Sequence, residues 1–211
     1  MQLVFIHGWG LDSTFWGPLA DLLKDYPQRC IERGYCGAPV SEIGETKNSV
    51  LIGHSLGFMY GAEQKSWAGW VAINSFARFV QGPDGNGCTP TAALRDLRIK
   101  LANDPRAMLK DFHTYIVAAA PQGEPNAGRL REGLDELRDG DIEPPAVPGL
   151  ILASENDPLV PAKASEALAA RAKNAQLIWH PTGGHVLPQA DPAWCAQHIK
   201  AYLQGLSAQN R

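Results

Sequence analysis

Apolar positions along the chain follow two periods. Residues 2–6 (QLVFI), 49–53 (SVLIG), 70–74 (WVAIN), 149–153 (GLILA) and 176–179 (QLIW) are short, nearly continuous apolar runs, with a weaker one at 28–33 (QRCIER). Such runs read as strands covered on both faces, which predicts a parallel sheet beneath helices. Between them the period lengthens. Residues 14–26 place Phe15, Leu19, Leu22 and Leu23 at helical spacing, with Ser13 as the predicted N-cap. A helix-compatible run follows Ser55, from Phe58 to Lys65. A final helix is predicted after Asp191, with Asp191 as cap and Pro192 at the first position, where the missing N–H has no intrahelical role.

The alternation stops between residues 75 and 147. No strand pattern occurs there, and the segment opens with the loop-like Gln81-Gly82-Pro83-Asp84-Gly85-Asn86-Gly87. Helices are predicted at about 91–102, 105–119 and 127–139, and Glu143-Pro144-Pro145 makes a stiff exit before the sheet resumes at Val147. The pattern therefore predicts a single domain over 1–211, with a helical lid at approximately 76–146 inserted in a core of 1–75 plus 147–211.

Composition narrows the classes. At 211 residues, 45% hydrophobic and 19% charged, the chain has enough apolar content for one full core and too much for disorder. A formal net charge of −3 argues against a broad nucleic-acid surface. No apolar run reaches the ~18 residues of a membrane span. The first residues lack a basic n-region and read as a strand, not a signal peptide. Cys30, Cys36, Cys88 and Cys195 form no CxxC pair and have no His at zinc spacing. The expectation is reduced thiols in a cytoplasmic protein, with no disulfide framework and no metal.

The chemistry concentrates in three places. Gly53-His54-Ser55-Leu56-Gly57 matches G-x-S-x-G, directly after one predicted strand and before a helical run. A serine on such a sharp strand-to-helix turn needs small neighbours two residues either side, which makes Ser55 the candidate nucleophile. A serine hydroxyl needs a base, and the base needs an orienting acid, in the chain order Ser, acid, His. Asp157, in the Asp-Pro turn after residues 149–153, and His185, after Gly183-Gly184, fall at the carboxyl ends of consecutive predicted strands. Glu155 is the rival acid and His180 the rival base. Glu155 lies nearer its strand end without the Asp-Pro turn, and His180 lacks a loop to carry it. His54 is expected to point into neighbouring structure, His113 and His198 to be surface or packing residues, and His7 to hold its loop by hydrogen bonds. The backbone N–H groups of Leu56 and Trp9 are the candidate oxyanion donors, since stabilising the tetrahedral oxyanion is commonly the largest catalytic effect.

Together His7-Gly8-Trp9-Gly10-Leu11, Gly53-His54-Ser55-Leu56-Gly57, Asn156-Asp157-Pro158-Leu159-Val160-Pro161 and Gly184-His185 resemble the α/β-hydrolase superfamily along the whole chain. Within it the chain looks most like the pimeloyl-[acyl-carrier protein] methyl ester esterases of biotin synthesis. The HGWGL opening followed by Phe15-Trp16, the stretch Leu130 to Ile142, and the segment Lys110-Asp111-Phe112 carry that likeness. The resemblance implies the α/β-hydrolase fold, serine-dependent ester hydrolysis through an acyl-enzyme without a cofactor, and a substrate that is a small ester or a carrier-bound acyl methyl ester. Trp9, Phe76 and Phe112 are then the candidate substrate-contacting side chains. Two departures stand out. Two strands that usually precede the first are missing, and Gly34 to Asn48 shows no helical period, with the usual turn reduced to Arg33-Gly34-Tyr35-Cys36-Gly37-Ala38-Pro39. A trimmed, mostly parallel sheet of about six strands is expected. A broad-specificity carboxylesterase, a carbon–carbon bond hydrolase or haloperoxidase, and a non-catalytic binding protein on this fold remain open alternatives.

Carrier proteins are acidic, so cations are expected beside the pocket of an enzyme that meets one. Residues 94–110 hold Arg95, Arg98, Lys100, Arg106 and Lys110 against Asp96 and Asp104. Arg95, Arg98, Arg106 and Lys110 are the candidate docking residues for a transient acyl-carrier-protein contact. The bland alternative is a solvated helix face whose charges balance against the acidic stretch 129–143.

Overall fold

The computed structural model describes residues 1–37, 40–64 and 66–209. Ala38 and Pro39, in the reduced turn after Arg33, and Lys65, at the end of the run after Ser55, lie outside it. The apolar runs become β1 (Gln2–Ile6), β2 (Gln28–Ile31), β3 (Ser49–His54), β4 (Gly69–Ile73), β5 (Gly149–Ser154) and β6 (Ala175–His180). They pair in the order β2-β1-β3-β4-β5-β6, every pair parallel. The six-stranded sheet is that of the α/β-hydrolase fold. The chain leaves β1 toward one edge and returns through β3 toward the other, so the direction of winding reverses between them. Crevices at such switch points, beyond the carboxyl ends of the strands, are where these sheets build sites.

Side-chain alternation along each strand divides the interior into two cores. Leu3 and Phe5 of β1 join Val50, Ile52, Val71 and Ile73 beneath α1 (Gly17–Leu22), α7 (Leu187–Ala190) and α8 (Pro192–Gln209). Val4 and Ile6 point the other way, with Leu51, Ala72 and Ile151, beneath α2 (Leu56–Ala62) and α6 (Ala162–Arg171). Each such fully buried large side chain contributes about 1.5–3 kcal/mol. Three helices stand between β4 and β5: α3 (Thr91–Asn103), α4 (Pro105–Ile116) and α5 (Ala127–Asp139). Asp104 caps α4 through the N–H of Ala107 at 2.9 Å, and Asn126 caps α5 through that of Arg129 at 3.1 Å. Asp191 caps α8, accepting from the Trp194 N–H at 2.9 Å.

Some expected boundaries move. The helix read over 14–26 is a 3-10 turn (Ser13–Trp16) followed by α1, because Pro18 can only open a new helical segment. Its cap is Asp12, which accepts from the Thr14 N–H at 3.0 Å, whereas the Ser13 N–H is drawn to Glu32 at 2.8 Å. Strand β2 stops at Ile31 as Glu32 turns inward. Helix α4 ends at Ile116, and Val117 breaks it in left-handed backbone (φ 58). Helix α6 has no apolar stripe to announce it; its buried residues are Ala164, Ser165 and Leu168. No helix among the described residues is long and apolar enough to cross a membrane.

Candidate active site

Ser55 sits between β3 and α2 with φ 52 and ψ −128. A non-glycine residue held there stores on the order of 1–3 kcal/mol, so its surroundings must enforce it. They do. A Cβ on Gly53 would stand 2.3 Å from the Phe58 Cα, and one on Gly57 would stand 2.1 Å from the Ile6 carbonyl oxygen. Only glycine lets α2 leave the elbow so sharply. The turn is anchored where the Ser75 hydroxyl donates to the Ser55 carbonyl at 2.8 Å. Ser55 opens onto a cavity of about 400 Å³ walled by Trp9, Met108, Phe112, Leu137 and Leu159.

The two expected partners meet each other. His185 Nδ1 lies 2.8 Å from Asp157 Oδ2 and 3.1 Å from Oδ1, with both side chains almost wholly buried. An ionised carboxylate only accepts, so the imidazole proton sits on Nδ1 and the Nε2 lone pair is free to act as a base. Asp157 is itself held by the N–H groups of Leu159 (2.8 Å) and Val160 (3.0 Å), the turn that its Asp-Pro sequence encodes. Glu155 is exposed. His180 is occupied elsewhere, accepting from the Thr182 N–H and facing Asp191 at 3.4 Å.

The loop after β1 completes the surroundings. The N–H of Leu56, first residue of α2, has no intrahelical acceptor. Trp9 lines the same cavity as Ser55, its indole N–H donates to the Leu130 carbonyl at 2.8 Å, and its ring meets Phe112 edge-on. His113 is buried and donates to the Gly10 carbonyl at 2.7 Å, so helices α4 and α5 both grip this loop. Below it, Glu32 is buried among the N–H groups of Gly34 and Ser13 and the ring of His7. Burial alone would raise that carboxyl, but these donors and the His7 charge outweigh it and lower it to about 2.

Other expectations change. Phe76 does not touch the cavity: it is fully buried, its ring packed on Phe79, and Phe79 is the one that lines the wall. The apolar spacing near residue 76 could not tell the two phenylalanines apart. Of the candidate docking cations, Arg98 pairs with Asp135 and Arg106 with Glu124, both from the same inserted segment. Arg95 and Lys110 are exposed without an ion pair among the described residues, and Lys100, not Lys110, lines the Ser55 cavity. Sequence reading missed Asn74. It directly follows β4, in left-handed backbone (φ 44), and bonds the loop that carries His185; its one signal is a polar residue closing an otherwise apolar run. Among the described residues no three metal-ligating side chains cluster.

Known proteins resemble this arrangement. A pimeloyl-[acyl-carrier protein] methyl ester esterase of Xanthomonas campestris pv. campestris (strain B100) is 28% identical over 93% of each chain. The biotin biosynthesis bifunctional protein BioHC of Cellvibrio japonicus is 26% identical over 97% of this chain and 48% of its own length. Among solved structures, an esterase of Exiguobacterium antarcticum superposes with a TM-score of 0.81 at 16% identity, covering 97% of this chain and 92% of its own. A bromoperoxidase of Bacillus anthracis does so at 0.76 and 17%, covering 96% and 91%, so the fold alone spans more than one activity. The alpha/beta hydrolase family matches residues 25–198, from the end of the first helical segment through the serine elbow to the final helix, and the chain belongs to that family.

Proposed function

We propose that the protein is a serine carboxylic-ester hydrolase acting through an acyl-enzyme, and that its substrate is a pimeloyl-[acyl-carrier protein] methyl ester. The observation that carries the reading is the buried His185–Asp157 pair at the same sheet edge as a serine in strained backbone. In this reading Ser55 Oγ attacks the ester carbonyl while His185 Nε2 takes its proton. The carbonyl oxygen becomes an oxyanion facing the N–H groups of Trp9 and Leu56. Collapse expels the alcohol, which takes the proton back from His185. Water then attacks the acyl-Ser55 ester with His185 again as base, releasing the acid and restoring the serine. Asp157 stays ionised throughout and stabilises the imidazolium. Nothing in the cycle requires a cofactor.

The substrate part rests on the relatives' activity and on the cavity. Beyond Ser55 its walls are mostly apolar, with Lys100, Asp111 and Tyr115 as the polar exceptions, which suits an aliphatic acyl chain whose far end reaches solvent. Helices α3 to α5, which roof the cavity with Leu97, Met108, Phe112 and Leu137, act as the lid over the core, between about 76 and 146. The reaction class and the reduced cysteines fit a cytoplasmic enzyme. Ser55→Ala should lower kcat on a short p-nitrophenyl ester by at least ~10³-fold, because nucleophile and base act as a unit. Steady-state kinetics on the purified variant is the check, and a rate near that of the native protein would remove Ser55 from the mechanism.

A further inference from the structure

On the serine-hydrolase reading, we propose that Asn74 and His54 are positioning residues that clamp the backbone of the base and keep His185 aligned with Ser55. Asn74 is almost wholly buried directly after β4. Its Nδ2 donates to the Gly184 carbonyl at 2.6 Å and to the His185 carbonyl at 2.8 Å. Its Oδ1 accepts from the Ser154 N–H at 2.9 Å, and its own N–H reaches the Leu152 carbonyl at 2.8 Å. One side chain therefore ties β4 to the end of β5, where the Asp157 turn begins, and to the loop that carries His185. Its left-handed backbone aims the amide there, a conformation that asparagine tolerates better than most residues.

His54 supplies a second donor. It is fully buried as the last residue of β3, directly before Ser55, and its Nε2 lies 2.9 Å from the His185 carbonyl. A carbonyl only accepts, so Nε2 carries the proton, and the buried Nδ1, with no partner, holds the lone pair. The His185 carbonyl thus has both lone pairs engaged by donors from two neighbouring strands. The loop needs this restraint, since Gly183-Gly184 precede the histidine and Gly184 takes φ 60. The Gly184 N–H, bonded to Asn156 Oδ1 at 2.7 Å, and the Thr182 N–H, bonded to His180 Nδ1 at 3.1 Å, add to the backbone grip before His185. Asp157 holds the ring; Asn74 and His54 hold the chain behind it.

The clamp also has to be neutral. The rings of His54 and His185 lie 4.8 Å apart, and His185 becomes cationic each time it takes the serine proton. A second cation there would oppose that step. Burial first, then the charges of His185 and His7, hold His54 well below the ordinary imidazole range, so it donates without carrying charge.

The experiment is a double-mutant cycle on the full chain with a p-nitrophenyl ester. Asn74→Ala should lower kcat roughly tenfold to a hundredfold, with KM within about threefold, as expected for a small misplacement of the base. On a His185→Ala background the same change should cost nothing further, because the clamp acts only through His185. His54→Leu should reproduce the kcat loss, and His54→Gln, whose amide can still donate, should recover most of it. Circular dichroism and melting curves accompany each variant. An Asn74→Ala loss of equal size with and without His185, or no loss at all, overturns the clamp. If Asn74→Ala does not fold, the His54 pair decides, and equal rates for Leu and Gln overturn it. A fully active Ser55→Ala would instead sink the serine reading, whereas a dead Ser55→Ala beside a native-like Asn74→Ala sinks only the clamp.

Discussion

Single residues at the elbow and beneath it carry opposing demands. Ser55 needs a backbone that costs energy, and the glycines flanking it remove the clashes that would forbid it. His54 and His113 are imidazoles buried close to the site, and each shapes a loop by donating to a carbonyl. Burial holds both below the ordinary imidazole range, for His54 with the added charges of His185 and His7, and for His113 partly offset by its bond to Gly10 and by Asp12. The fold biases both toward the neutral form, and unfolding frees them to take up protons. The unfolded state therefore binds more protons below about pH 6.5, and stability should fall as pH drops through that range, by up to ~1.4 kcal/mol per pH unit for His54 and by less for His113. Urea unfolding at pH 7.5 and 5.5 measures this, and His54→Gln should flatten the dependence. Glu32 acts in a separate window: its depressed carboxyl contributes stability above about pH 4.5 that disappears as pH falls toward 2.

Elements owe their ends to polar side chains more than to apolar pattern. Helix α8 begins where Asp191 accepts from the Trp194 N–H and Pro192 takes the first position. Asp191→Ala should cost about 1 kcal/mol, the usual worth of such a cap. In a chain of this length that lowers Tm by about 2–4 °C, with kcat unchanged, which calorimetry and a parallel ester assay would test. Capping fixes where α4 and α5 begin, Asp104-Pro105 opening one and Asn126 the other, at the starts the apolar period indicated; the end of α4 falls three residues short of the reading, at the left-handed Val117. The segment over 13–22 was less legible, because Pro18 and the pull of Glu32 on Ser13 split one apolar stripe into two short pieces.

At the scale of the whole molecule, the charge pattern bears on the partner. Arg98 pairs with Asp135 on α5 and Arg106 with Glu124 in the loop before it, so half of the candidate cluster is already engaged within the inserted segment. Within the cluster, Arg95 and Lys110 have no ion pair among the described residues and Lys100 stands at the cavity itself, so these are the cations the proposed carrier contact would use. Reversing Arg95 and Lys110 to Glu should weaken turnover of the carrier-bound ester severalfold at low salt, with the effect shrinking as added salt screens it. Turnover of a free methyl ester should stay within about twofold. Equal loss on both substrates, or on neither, leaves a general esterase with no carrier contact.

Local chemistry was enough to locate the strands, the serine elbow, the Asp157 turn and the His185 loop, because each is written in a few adjacent residues: an apolar run, glycines at fixed offsets, an Asp-Pro pair. Ser55, Asp157 and His185 follow β3, β5 and β6 in that order, and all three lie at one edge because parallel strands all finish there. What adjacency cannot encode is which side chains meet across the sheet. Phe76 and Phe79 sit three residues apart in one apolar stretch, and only the turn of the chain after β4 sends the first into the core and the second to the cavity. Whether an arginine is free or paired depended on how α3 packs against α5. Asn74 reads as the polar end of a strand until β5 and the His185 loop close around it, 80 and 111 residues further on. Hydrogen bonds and ion pairs over such separations are set by the register of the strands and the packing of the helices, and those exist only once the chain has folded.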